Sequence, residues 1–176
     1  TVYCSPAGRL NLGFSFDSTP FGDHPRLAEL AFHGELGLVG ESSRKPAPEH
    51  FYQRMIAGFR YTVPVTETYL IAEYFFLEDG YTPEETAAII NMGAFSPTLI
   101  PGNMARHNLF VNLHQLSLTR NMNLFTDTLS LTGTWLQNLS DRSRFISVSV
   151  SSLMLQNWCF SVEAGYFSGA ADTEYG

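Results

Sequence analysis

The side chains able to do chemistry in this chain are spread thinly. His33 and Glu35 stand two apart, a spacing that projects both to one side of an extended strand, where they can share a metal ion. Only two ligands are visible there, so a metal would need a third from elsewhere, and a water-exposed pair is the plainer reading. Glu73 and Glu163 could in principle act as an acid/base carboxylate pair, as in glycosidases, but no feature of the sequence brings them together. The run Gly13-Phe14-Ser15-Phe16-Asp17 has the start of a nucleophile elbow. It lacks the final glycine and lies within an alternating segment rather than on a strand-to-helix turn. No catalytic, metal or cofactor site is therefore assigned, and the chain is not read as an enzyme.

The elements that carry these residues are more informative. Leu10, Leu12, Phe14 and Phe16 interleave with Arg9, Asn11, Gly13 and Ser15, and Ile146, Val148 and Val150 alternate with Ser147, Ser149 and Ser151. A strand sends successive side chains to opposite faces, so each segment has one apolar and one polar face. The same pattern predicts strands at about 8–16, 26–39, 50–62, 68–78, 105–118, 124–137, 144–153 and 158–167. Several run to ten residues or more, beyond the roughly 5–6 usual in globular sheets and close to the roughly 9–11 tilted residues that span a bilayer. Short links (63–67, 119–123, 154–157) alternate with longer ones (40–49, 79–104, 138–143), as periplasmic turns alternate with extracellular loops; the link 17–25 is longer than its peers.

Composition narrows the classes. The 176 residues suffice for a single domain. A net charge of −7, with one lysine (Lys45) against nine arginines, leaves no basic stripe for nucleic acid. No segment approaches the roughly 18 consecutive apolar residues of a membrane helix. Two cysteines, Cys4 and Cys159, are too sparse for a disulfide framework and read as unrelated thiols. Thr82-Pro83-Glu84-Glu85 forms a capping box with proline at the first helical position. It predicts a short helix through Ala87–Met92, ended by Gly93, in the longest loop, either folded into a lumen or packed on its own rim.

The expected architecture is thus an all-β, antiparallel up-and-down transmembrane β-barrel, of about eight strands with one loop helix. A soluble sandwich or barrel, whose apolar face is a core, shares the same periodicity and stays open as an alternative. On the polar face fall Glu29, His33, Glu35, Arg54, Arg60, Glu73, His114 and Glu163, the candidate pore-lining residues. They can select solutes by charge or simply pair and hydrate a packed interior. Trp135, Trp158, Tyr61 and Tyr166, near strand ends on the apolar face, suit an aromatic girdle at head-group level.

Tyr69-Leu70-Ile71-Ala72-Glu73-Tyr74-Phe75-Phe76, closing on Asp79-Gly80-Tyr81, resembles a strand of bacterial outer-membrane porin-like and alginate-export-like barrels. Ala105-Arg106-His107-Asn108-Leu109-Phe110, Asn138-Leu139-Ser140-Asp141-Arg142-Ser143 and Thr173-Glu174-Tyr175-Gly176 resemble successive landmarks of that group. The resemblance implies a location in the bacterial outer membrane, in contact with its lipid. It implies passive passage of small hydrophilic solutes without a cofactor, and is compatible with a homo-oligomer. It also implies that residues 1–176 are part of a larger barrel, cut at both ends, with a closed eight-stranded barrel as the alternative. A barrel enzyme acting on lipid or polysaccharide and a soluble binding module are the competing functions.

Overall fold

Each alternating segment becomes a strand. The computed structural model describes residues 2–4, 10–40, 51–63, 66, 68–92, 105–116, 126–154 and 158–175. Its elements are β1 (Val2–Cys4), β2 (Leu10–Ser18), β3 (Leu30–Val39), β4 (Tyr52–Val63), β5 (Thr68–Leu77), α1 (Pro83–Asn91), β6 (His107–Leu116), β7 (Thr126–Asn138), β8 (Arg144–Met154) and β9 (Trp158–Ser168). All nine strands join one sheet in chain order, and every neighbouring pair is antiparallel. Direct links between successive antiparallel strands produce this meander. Among the described residues β1 and β9 each pair on one side only, so the sheet is open.

Two margins follow from the up-and-down path. The upper one carries the links 40–51, 78–106 and 139–143 and the chain after Ser168; the lower one carries 19–29, 64–67, 117–125 and 155–157. Rows of paired residues cross the strands obliquely. Phe16, near the lower end of β2, aligns through Gly34, Ala57, Tyr74, Leu109, Gln137 and Arg144 with Ser168, the upper end of β9. Such a stagger is the signature of tilted strands in a twisted sheet.

Three expectations are corrected. β1, three residues long, adds a ninth strand that no periodicity could reveal in so short a run. The strand expected from residue 26 begins at Leu30, because Leu27 and Ala28 donate their amides to the His24 carbonyl and Leu30 donates to Leu27. These local bonds satisfy the backbone before a ladder can, so Glu29 sits in a turn. β2 runs on through Ser18, and the lower link 19–29 is longer than 139–143 on the upper margin, so link length does not by itself distinguish the margins.

The helix forms where its cap predicts. Thr82 Oγ1 accepts from the Glu85 amide at 3.3 Å, and Glu85 Oε2 accepts from the Thr82 amide at 2.8 Å. The helix closes at Met92; Gly93 and the turns expected after it lie outside the described residues. Tyr81 bridges to Ala105, and the Arg106 amide donates to the Tyr81 carbonyl, so both ends of the long link are fixed to the upper margin. Among the described residues no helix is long and apolar enough to cross a membrane, a statement that leaves strands aside.

Burial is inverted relative to a soluble sheet. The buried apolar residues among those described are Ala31, Tyr52, Ala105 and Tyr175, and all but Ala31 lie at the upper margin. The apolar face of the sheet is open: Phe14 is 66% exposed, Val148 47%, Val162 52% and Tyr166 63%. In β8 Ile146, Val148 and Val150 are exposed, while Ser147 between them is buried.

Candidate polar-face site

Glycine in the middle strand lets two side chains meet across it. His33 on β3 and Glu73 on β5 flank Gly58 of β4, and all three share one register row. Strands two apart in a sheet are separated by about 9.6 Å, so contact requires long side chains and nothing between them. His33 Nε2 lies 2.7 Å from Glu73 Oε1 over that glycine. A Cβ at position 58 would come 2.9 Å from Glu73 Cγ and 2.5 Å from the Ala72 carbonyl oxygen.

A second pair uses the same device one strand over. Asp17 on β2 accepts from Arg60 on β4 at 2.7 Å, spanning β3 past Ala31, the small buried partner of Arg60 in the register. Both ends of this pair are about half exposed, at 46% and 48%. Arg54 differs. It grips Asp79 with two bonds, Nη2 to Oδ2 at 2.5 Å and Nε to Oδ1 at 3.2 Å, and the Asp79 side chain is wholly buried. Two charge-assisted bonds from one guanidinium fix both position and angle, so Arg54 anchors the upper margin.

Between these pairs lies a cleft of about 400 Å³, lined by Asp17, His33, Glu35, Arg60, Tyr69 and Glu73 among others. Glu35 borders a further hollow of about 460 Å³ that reaches Arg54. Glu29, from its turn, lines a smaller one with Arg60, Thr62 and Tyr69. His114 bonds Thr132 Oγ1 at 2.7 Å on the far side of the sheet, and the same row continues through Ser149 to the exposed Glu163. Asn112 donates to Thr134 at 3.0 Å, and the Ser130 and Ser151 hydroxyls meet at 2.5 Å, so neutral cross-strand bonds knit this half of the face.

Of the eight candidate residues, His33, Glu35, Arg54, Arg60, Glu73, His114 and Glu163 share the polar face, and Glu29 adjoins it from the turn. His33 and Glu73 touch, Glu35 and Arg60 stand in the same cleft, and Arg54, His114 and Glu163 lie apart. Glu73 and Glu163 are four strands distant, on the order of 19 Å along the sheet, so no carboxylate pair forms. Among the described residues no cluster of three ligating side chains exists for a metal. The sequence reading missed Asp17 and Asp79. Asp17 was legible, because it continues the polar odd-numbered series of Gly13 and Ser15; Asp79 follows β5 and carried no periodic signal.

The polar face is also more apolar than expected. Ile56, Ile71, Phe75, Phe110, Leu136, Phe145 and Phe167 fall on it by register. Phe145 and Phe167 pack with tilted rings, their centroids 4.6 Å apart, and the Phe145 ring covers Gly165, where a Cβ would approach it to 2.8 Å. On the opposite face Tyr61 donates its hydroxyl to the Arg26 carbonyl at 2.7 Å near the lower margin, while Trp135 and Tyr166 sit toward the upper one. The side chains of Trp158, Cys4 and Cys159 lie outside the described residues.

The upper margin is a polar clasp. Asp141 Oδ1 accepts from the Ser143 amide (2.8 Å) and hydroxyl (2.6 Å), and its Oδ2 accepts from the Glu174 amide at 3.0 Å. Asn138 donates to Glu174 at 3.1 Å and accepts from the Ser140 amide at 2.8 Å. Arg142 turns the chain with a φ of 64°, an uncommon left-handed setting for a residue with a side chain. Tyr175 is buried beside this turn, and burial, with Glu174 and Asp141 adding to it, pushes its phenol well above the usual tyrosine range. Two segments far apart in sequence, 138–143 and 173–175, therefore hold each other. Compared with protein-family models, with curated proteins and with solved structures, the chain matches none.

Proposed function

We propose that this sheet is part of the wall of a β-barrel in the bacterial outer membrane, with its apolar face against lipid and its polar face toward water. Small hydrophilic solutes pass along that interior without being chemically changed. The observation that carries the reading is the inverted burial, clearest in β8, where Ile146, Val148 and Val150 are outward and exposed while Ser147 is buried. Leaving a large aliphatic or aromatic side chain in water forgoes about 1.5–3 kcal/mol each, and contiguous apolar surface of this kind marks an interface. Strands of 9 to 13 residues suit a bilayer, which takes about 9–11 tilted residues. A soluble sandwich needs a second sheet over that face, and every described strand belongs to the one sheet.

Arginine placed on either face tests the wall. In lipid vesicles, Val148→Arg should lower unfolding stability by about 2–4 kcal/mol, the cost of a cation near the bilayer midplane. Ser149→Arg, one residue on, should be close to neutral. Equal losses at the two positions, measured by denaturant titration, contradict the lipid-facing assignment.

A further inference from the structure

Among the described residues the charges of the polar face do not cancel. Its two described arginines are engaged, Arg54 with Asp79 and Arg60 with Asp17, and His33 is engaged with Glu73. Glu35 and Glu163 are exposed and have no ionic partner among the described residues. A paired charge acts at a distance as a dipole, whose field decays faster than that of a lone charge. What an approaching solute meets is therefore a surplus of carboxylates on a wall that mixes uncharged hydroxyl and amide groups with apolar side chains such as Ile56, Ile71 and Phe75. A low-dielectric backing concentrates such a field and raises the local concentration of counter-ions. Here the apolar side of the same strands supplies that backing.

We propose that this face selects cations over anions, so that its solutes are small hydrophilic ions or molecules bearing positive charge. Glu35, in the cleft of about 400 Å³, and Glu163, on β9, set the preference. The cleft is roomy enough for a partly hydrated ion or a small organic cation, and Tyr69 adds an aromatic ring, a surface that attracts cations. Arg60 does not reverse the sign there, because its charge is held by Asp17. The inference rests on the face lining a water-filled passage.

The test is the reversal potential of the protein reconstituted in planar lipid bilayers, with unequal KCl on the two sides. The expected sign is that of K⁺ movement. The preference should shrink as salt rises toward 1 M, where the Debye length falls to about 3 Å. In the double variant Glu35→Gln/Glu163→Gln the reversal potential should move toward zero; both side chains are exposed, so the fold does not depend on them. A wild-type reversal potential of the Cl⁻ sign, or one insensitive to salt, overturns the inference while leaving the passage intact. A double variant indistinguishable from wild type overturns the assignment to these two residues. Absence of any conductance strikes the passage itself, and the solute class with it.

Discussion

Two arginines on one strand illustrate how identical side chains come to do different work. Arg60 and Asp17 are both half exposed, and water screens such a pair to less than about 1 kcal/mol. Arg54 faces a carboxylate with no exposure at all. Removing Arg54 strips two charge-assisted bonds from that buried carboxylate, a larger loss than at the exposed pair. In denaturant titrations Arg54→Gln should accordingly destabilise strongly and Arg60→Gln hardly at all; comparable losses would contradict the anchoring role of Arg54. Both arginines share one face of the strand by register, as counting by twos along the sequence requires. Alternation could not show that Arg54 is structural, because its buried partner Asp79 lies beyond the end of β5 and carries no periodic signal. The His33–Glu73 contact was illegible for a related reason. It depends on the register of three strands and on a glycine at the crossing point, and alternation within one strand carries no register information.

At the scale of elements, local chemistry was a good guide wherever it was the deciding term. The helix starts at the residue that its capping box requires. Thr82→Ala should cost about 1 kcal/mol of helix stability, read as lost hydrogen-exchange protection at the Glu85 and Thr86 amides; unchanged protection would mean that packing, not the cap, holds the first turn. Glu84 in that turn has its carboxyl below the usual range, chiefly through a backbone hydrogen bond and then through the Thr82 side chain. A depressed value means that its support is present above the unfolded-state value and is lost as pH falls through the folded one. Protection of the first turn should therefore weaken in acid, after correction for intrinsic exchange. Local chemistry failed at residues 26–29, where Ala28 and Glu29 extend the alternation of the following strand but successive backbone bonds close a turn instead. It also failed at β1, whose pairing with Leu10–Leu12 is a property of the partner strand as much as of its own three residues.

Across the whole molecule, the described residues hold little apolar packing of the usual kind. Most of their buried residues sit at the upper margin, among them the polar Asp79, Asn108, Asn138, Ser143 and Glu174 beside Tyr52, Ala105 and Tyr175. The sheet between the margins is held by its ladder and by cross-strand side-chain bonds, and its apolar side is uncovered. That division explains why the sequence revealed the two faces but not what covers the apolar one: periodicity reports that a face is shielded from water and is silent on the shield. Nitroxide labels placed singly at positions 146 to 151 of β8, in a background with Cys4 and Cys159 replaced by serine, separate the possibilities in lipid vesicles. Collision with oxygen, which concentrates in lipid, should peak at 146, 148 and 150. Collision with a water-soluble nickel complex should peak at 149 and 151, in opposite phase, with the buried position 147 giving less. If positions 146, 148 and 150 are shielded from both reagents, that face packs against protein rather than lipid, and the membrane wall is contradicted.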